Sequence, residues 1–525
     1  MKPIKLIFIL VILLKTEFSF GQDGSFDNSF GNNGVKIFSL GNCNTTRGNE
    51  VLYLSNGSIL ISGYGSEKLY GLEINKGLFV TNFLSNGDFN FSFGTNGIIF
   101  IPSGANGSSS VHSMVQLPDK NILFQGVING NSVLFRINQN GVFDSTFGNN
   151  GIVSISSGGK IALQSNEKII VSGQYYDGYN NLYKFSRYNS NGTIDSTFGN
   201  NGTIQTDVTS FRFDLCSSIK IQNDNKIIAV GTSYENATQR NPVIVRFNEN
   251  GTLDFSFGNN GVLITNIGPP PGYGVFYDVD ILQNGKIVAC GNMEYSGGTG
   301  GFGGSKPAVV KYNSDGTLDA IFGNNGKVVL NTIYNANDNI RTIKTQLDNK
   351  IIIGGSAGNP FPNIQSSFYL TRLNSDGCLD LTFGNNGKIL SNFSNSETNV
   401  AVDIVIQENG KILTVGLTKD SSNQFFNTVV CRFNNDSLLN IDNVEIDNEI
   451  VIYPNPTNEE LYINRINEIS KLEVYNIIGQ LQLHKNVSIE NLGIIRIKLN
   501  EIPTGTYLLI ITQKDRKIVK KILKN

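Results

Sequence analysis

The chain has 525 residues, 39% of them hydrophobic, which is enough for more than one body with a core of its own. Its net charge of -2 is interspersed along the sequence and leaves no electrostatic footprint for nucleic acid or an anionic membrane, so neither is a favoured partner. Glycine (57) and asparagine are abundant and tryptophan is absent, a composition suited to many short strands joined by tight turns.

The first element, "MKPIKLIFILVILLKTEFSFGQ", combines Lys2 and Lys5 with an apolar run from Leu6 to Leu14 and a small-x-small site at Ser19-Phe20-Gly21. This pattern predicts a secretory signal peptide over residues 1–21. Lys15 ends the run well short of the ~20 residues a membrane-spanning helix needs, and no other segment qualifies. A lipid anchor is not expected, because no cysteine follows the cleavage site until Cys43. Cys43, Cys216, Cys290, Cys378 and Cys431 show no CxxC spacing. Cys216, Cys290 and Cys431 read as small buried hydrophobes, and a Cys43–Cys431 disulfide would require the chain ends to meet.

One phrase then recurs seven times, as in "NGTIDSTFGNNGTI" at 191–204. Aligned on its phenylalanine, the copies stand at Phe30, Phe93, Phe147, Phe198, Phe257, Phe322 and Phe383, between 51 and 65 residues apart. Such a recurrence indicates an array. Between the copies lie a hairpin with an Asn/Asp/Gly turn ("SIKIQNDNKIIAVG", 218–231; "VDIVIQENGKILTVG", 402–416) and a third run ("PVIVRFNENGTLD", 242–254). A fourth run follows each FGNNG, as in "GVLIT" at 261–265. Four short β-branched strands per unit predict a propeller blade, and no stretch sustains the 3.6-residue period of a helix.

The first copy, "GSFDNSFGNNGVKI" from Gly24, has no hairpin before it, and the last unit, ending "VVCRFNNDSLLNID" at 429–442, has no FGNNG after it. The two incomplete ends add up to one blade. The expected fold is therefore all-β, a seven-bladed β-propeller closed by its N-terminal strand and followed by a small C-terminal β-sandwich. Gly34 to Leu40 would supply the outer strand of the blade begun by residues 400–434. Five units pair a base with an acid eight residues on: Arg136 and Asp144, Arg187 and Asp195, Arg246 and Asp254, Lys311 and Asp319, Arg372 and Asp380. At Asn82 and Asn90 both charges are lost together. Arg432 has no acid at that offset and Asp27 has no base, so the two are predicted partners across the closure. If solvent-exposed, the pair would be worth only ~0 to 1 kcal/mol and would set register more than stability.

Through "NGTIDSTFGNNG", "NGTLDFSFGNNG" and "QENGKILTVG", residues 23–440 resemble the delta-60 repeat family of β-propellers. The resemblance implies an exported propeller and brings no catalytic residue with it. The copy "NGDFNFSFGTNG" at 86–97 departs from the pattern at Asn90 and Thr95, which puts only its ionic contact in doubt.

After a polar linker at 441–449 the rhythm changes, and alternating runs over 450–525 predict a small β-sandwich. This tail resembles the type A C-terminal sorting domain of the type IX secretion system through three motifs. They are Tyr453-Pro454-Asn455-Pro456, Val474-Tyr475-Asn476 with Gly479, and Pro503-Thr504-Gly505-Thr506-Tyr507. The resemblance implies the secretion machinery as a partner and passage through the outer membrane of a Gram-negative bacterium. Tail removal and either release or attachment to surface polysaccharide would follow. An ordinary accessory β-domain is the alternative.

With only His112 and His484 in the chain, no zinc site and no Ser-His-Asp triad is expected in the propeller, and no metal or cofactor is expected. In "NSDGTLD" at 313–319, Asp315 and Asp319 flank Gly316 as in an oxygen-rich calcium loop, but side chains capping a tight turn account for the same residues. The distance from the hairpin glycine to the third strand varies from 10 to 20 residues, so binding is expected on the face those loops share. They carry Tyr175, Tyr176 and Tyr179 in "YYDGYNN", Tyr234, Tyr273, Tyr295 and Phe361. Tyrosine among Gly, Ser and Asn gives flat amphipathic contacts of the kind sugars and peptides use. The expected function is a secreted or cell-surface, non-enzymatic binding or adhesion module for glycan or protein. The alternative is an extracellular polysaccharide hydrolase or lyase with carboxylates near the channel mouth. Converging acids at the pore favour the enzyme; Asn, Ser and apolar groups favour binding.

Overall fold

A computed structural model describes residues 23–435 and 451–525 apart from 42, 70–71, 105–106, 209–212, 235–239, 268–273, 295–304, 331–337, 359–364, 394–396, 420–421, 423–424, 465–468, 477–479, 487–494 and 514–515. The chain divides into two compact units, Met1–Asp436 and Ser437–Asn525. Every regular element among the described residues is a β-strand.

One repeat shows how the sequence builds the first unit. Phe213–Ile221, Ile227–Tyr234, Arg240–Phe247 and Val262–Ile264 pair in order as an antiparallel meander. The two central strands are covered on both faces by the neighbouring repeats, which is why they read as near-continuous apolar runs such as "IIAVG" and "PVIVRF". FGNNG forms the turn into the fourth strand. It needs a left-handed backbone at three places, as at Gly323 (φ 53), Asn325 (φ 48) and Gly326 (φ 86), which Gly and Asn adopt at least cost. A Cβ on Gly323 would lie 2.4 Å from the Lys327 carbonyl oxygen, so no other residue fits there.

Among the described residues the first unit holds three sheets of four strands and two of eight. Each eight-stranded sheet is two four-strand sets joined by one parallel bridge, Asn181 to Phe213 or Ser366 to Thr398. The strand Val35–Phe38 lies antiparallel to Phe426–Phe433, with Val35 opposite Cys431 and Phe38 opposite Thr428. Phe30, Phe38, Val51 and Phe79 share one buried cluster with Leu413, Val415 and Val430, so residues near the start of the chain pack on its last repeat.

Successive repeats are held by one recurring clamp. The Arg187 guanidinium lies 4.8 Å from the Phe198 ring centre and donates through Nε to Asp195 at 2.8 Å, through Nη2 to Thr197 at 3.0 Å and through Nη1 to the Glu249 carbonyl of the next repeat at 2.8 Å. The Lys168 ammonium, 3.2 Å from Asp195, completes the site. Gly199 N–H donates to the Asn250 carbonyl of the next repeat at 3.0 Å. All seven FG phenylalanines are fully buried. Arg246 and Arg372 repeat this geometry, Arg136 and Lys311 vary it, and Asn90 to Asn82 at 3.1 Å is its neutral copy.

At the chain's extremes the clamp is assembled from both ends. Arg432 lies over the Phe30 ring at 4.9 Å, donates to Asp27 at 2.5 Å and reaches the Ser85 carbonyl, while Lys411 donates to Asp27 at 2.7 Å. Gly384 N–H, which elsewhere would meet a turn carbonyl of the next repeat, donates to the Asp23 carbonyl at 2.7 Å, and Arg372 Nη2 donates to the Asp23 carboxylate at 2.7 Å. The Arg432 and Asp27 side chains are each only 7% exposed, so the small figure for an exposed pair does not apply. No disulfide joins Cys43 to Cys431, whose thiol sits in the apolar core.

The tail carries two sheets. Val451–Tyr453, Glu460–Asn464 and Ile495–Lys498 form one, and Leu481–Asn486, Ile469–Asn476, Gly505–Gln513 and Arg516–Lys524 the other. Leu461, Ile463, Val474, Ile497, Leu509 and Ile522 meet in a single core, the inward-facing set of alternating strands.

Asp27→Asn leaves Arg432 and Lys411 without their counter-charge in a buried site and is expected to cost about 3–5 kcal/mol. Chemical denaturation against Asp88→Asn, on an exposed turn and expected to stay within about 0.5 kcal/mol, measures the difference. Burial alone would raise the clamp carboxyls, but the ammonium, hydroxyl, amide and guanidinium groups around them outweigh it and hold Asp27 and Asp380 at about 2. Depressed carboxyls stabilise the fold fully above their unfolded value of 3.8, and that contribution is lost as pH falls through about 2. The unfolding midpoint should therefore drop between about pH 4 and pH 2, less steeply in Asp27→Asn.

Candidate functional site

Tyr175 and Tyr176 end the strand Ile169–Tyr176, and Tyr179 lies in the turn that follows. Asp177 accepts from the Tyr179 and Asn180 amides at 2.8 and 2.6 Å, which fixes that turn and leaves Tyr179 83% exposed. Tyr234 ends the corresponding strand of the next repeat and is partly exposed. Tyr273, Tyr295 and Phe361 lie outside the described residues. The loop tyrosines that are described thus cluster on two adjacent repeats. The FG phenylalanines, Asp27 and Arg432 belong to the clamps.

A cavity of about 660 Å³ is lined by residues from the first strand, or its start, in all seven repeats. In six of them, among the described residues, that strand carries a bulge at one place, between Gly48 and Glu50, Val111 and Ser113, Cys216 and Ser218, Phe276 and Asp278, Ile340 and Thr342, Ala401 and Asp403. A bulge re-aims a side chain, so two consecutive residues face the same way. Asn49 and Glu50, Ser217 and Ser218, Tyr277 and Asp278, Arg341 and Thr342, and Val402 and Asp403 accordingly line the cavity in pairs.

The charges there are interlocked. Lys160 reaches across one repeat to Glu50 and donates to the His112 carbonyl at 3.0 Å. Asp403 accepts from the Val51 amide at 3.0 Å, Asp278 from the Ile343 amide at 3.1 Å and Ser218 at 2.7 Å, and Asp280 from the Thr345 amide at 2.8 Å. Lys220 stands 3.5 Å from Asp280, and Lys344 3.9 Å from Asp403. Burial, reinforced by the Asp403 charge, pushes the Glu50 carboxyl up to about 7 in spite of Lys160. Burial also opposes charge on Asp278, but Lys344, Lys220 and the Ser218 and Ile343 donors hold it below the usual carboxylate range. Burial keeps His112 below its ordinary value, with Nε2 2.8 Å from the Ser110 hydroxyl.

The loop tyrosines are visible in the sequence as composition; this lining is not. Its signal is positional. Thirteen residues before the hairpin glycine of each repeat stand Glu50, Ser113, Lys160, Ser218, Asp278, Thr342 and Asp403, polar in all seven cases.

In the tail, the Tyr453–Pro454 and Asn455–Pro456 peptides are cis, and the Asn455 side chain donates to the Lys521 carbonyl and accepts from the Leu523 amide, both at 2.8 Å. Gly505 opens a strand, and the buried Tyr507 donates its hydroxyl to the Pro503 carbonyl at 2.6 Å. These motif residues thus pin the ends of the tail's strands. Gly479 lies outside the described residues.

Family profiles match both units. Residues 451–525 match the secretion system C-terminal sorting domain. Residues 164–198, 222–257, 282–322 and 346–383 match the domain of unknown function DUF5122 beta-propeller, each match running from a hairpin to its FG phenylalanine. No curated protein matches the chain. Among solved structures, the polysaccharide lyase Uly1 is 10% identical over 76% of this chain and 92% of its own, with a TM-score of 0.45. Drosophila Plexin A in complex with Semaphorin 1b is 9% identical over 78% and 88%, with a TM-score of 0.39. The NanB sialidase of Streptococcus pneumoniae is 13% identical over 78% and 71%, also at 0.39. Likenesses this distant carry no argument about activity. The chain thus carries delta-60-like DUF5122 beta-propeller repeats and a C-terminal type IX secretion sorting domain, and the latter indicates export across the outer membrane to the cell surface or the medium.

Proposed function

We propose that this protein is an exported seven-bladed propeller, closed by its N-terminal strand, that acts outside the cell as a non-enzymatic binding or adhesion module for glycan or protein. The blade count and closure draw support from the seven first strands around one cavity and from the pairing of Val35–Phe38 with Phe426–Phe433. In this reading the signal peptide covers 1–21, the propeller 23–440, the linker 441–449 and the sorting domain 450–525.

The observation that carries the binding reading is how the cavity's acids are used. Asp278 and Asp403 each accept an amide N–H from the first strand of the next blade, and Glu50 is held by Lys160. These carboxylates act as stitches between blades, whereas a catalytic acid and base must keep a lone pair or proton free for the substrate. A hydrolase or lyase acting on extracellular polysaccharide is the second reading, and Glu50 favours it. A carboxyl at about 7 in the same cavity as Asp278, which is held below the usual carboxylate range, is the pattern of a general acid.

The purified protein, offered a panel of soluble polysaccharides and peptides, is expected to bind saturably without releasing reducing ends or unsaturated products. Turnover that disappears in Glu50→Gln would replace the binding reading with the hydrolase or lyase one.

A further inference from the structure

Three positions past the hairpin glycine, the repeats carry Ser66, Asn129, Tyr176, Tyr234, Glu294, Gly358 and Lys419, so only two consecutive repeats place an aromatic ring there. Strand register joins those two into one row. Tyr176 lies opposite Asn181, Asn181 opposite Phe213 across the parallel bridge, Phe213 opposite Tyr234, and Tyr234 opposite Arg240. Directly opposite residues project from the same face of a sheet.

The row faces solvent and is partly pre-formed. Tyr176 is 61% exposed and Phe213 43%, and Asn181, Tyr234 and Arg240 are partly exposed. The Tyr176 hydroxyl donates to the Gly178 carbonyl at 2.8 Å, and the Arg240 guanidinium lies 5.5 Å from the Tyr234 ring centre. Rings held before a ligand arrives lose less entropy on binding.

The fold does not require these side chains. The second parallel bridge, Ser366 to Thr398, sits in the same pairing, and its row reads Gly358, Ser366, Thr398, Lys419 and Phe426. There, small and polar residues stand where the first row has Tyr176, Asn181 and Phe213, and a lysine replaces Tyr234. Tyr176, Phe213 and Tyr234 are therefore spare as far as strand pairing is concerned.

Resting on the binding reading above, we propose that this row is a glycan-binding strip. Sugar rings of an extracellular polysaccharide stack on Tyr176, Phe213 and Tyr234, while Asn181 and Arg240 donate to their oxygens. Aromatic faces bordered by an amide and a guanidinium match a sugar ring, whose C–H face is bordered by hydroxyls. A peptide fits less well, because at Asn181, Phe213 and Tyr234 the strands are already paired on both sides and leave no edge for an added strand in the middle of the row.

The test uses the full-length mature chain on an array of soluble neutral and acidic polysaccharides, with a peptide array alongside. The wild type is expected to bind a glycan, Tyr176→Ala/Phe213→Ala and Tyr234→Ala to weaken it roughly tenfold or more, and Tyr176→Phe, which keeps the ring, to bind within about twofold. Thr398→Ala/Lys419→Ala, on the matching row, should bind as the wild type does, and matched unfolding midpoints confirm that all variants fold. Glycan binding that survives both alanine variants overturns the strip and leaves the binding reading standing. Binding to peptides alone, or to nothing, overturns the strip as well, and binding to nothing removes the broader reading with it.

Discussion

The arrangement of the propeller unit depends on a buried cation. In the Arg187 clamp a guanidinium is taken out of water, and its donors are met by an aspartate eight residues on, by a Thr hydroxyl and by a carbonyl of the next repeat. The fork of arginine meets three partners in three directions, which is how one side chain can fix both the turn of its own repeat and the angle to its neighbour. Lys311 meets two of these partners with a point charge, at 3.4 Å from Asp319 and 2.7 Å from the Ser375 carbonyl. A repeat lacking its neighbour would leave a buried charge with an unmet donor, a large penalty compared with the marginal stability of a domain. The penalty falls hardest on the two ends of the array. Asp23 and Asp27 meet it, supplying from the start of the chain what the last two clamps lack.

The same logic accounts for the cavity. First strands come close around it, and their bulges turn two side chains per strand toward it. Polar groups placed there have to find partners, and the nearest are the amides of the adjacent first strand. Asp403 with Val51 links the last repeat to the first in the way that Asp278 with Ile343 links two in mid-chain. The cavity is thus part of the scaffold before it is anything else. Bulge residues such as Tyr277 and Arg341 stay exposed at its lining.

What differs between repeats is then more informative than what they share. Clamp, turn and bulge recur because each repeat faces the same packing problem. The strand ends beyond the hairpin glycine are free of that problem, and it is there that Tyr176 and Tyr234 stand on adjacent repeats. Side chains that packing does not demand, gathered on one row, are where a repeat array acquires a partner of its own.

The sequence alone determined the features whose partners are close along the chain. The four-strand unit, the left-handed positions of FGNNG and the base-acid offset of eight are local, and local contacts leave a period that can be counted. Even the partnership of Asp27 and Arg432 was legible, because each was the unmatched half of a counted pattern. Tertiary structure decided the rest. Strand alternation predicts one lining residue of every two, so the bulges that bring Tyr277 in beside Asp278 had no signature in the period. The reach of Lys160 to Glu50 spans 110 residues, and the row from Tyr176 to Arg240 crosses the single bridge between two four-strand sets. Neither pairing follows from spacing, because both depend on how twisted sheets pack face to face rather than on how one chain segment turns.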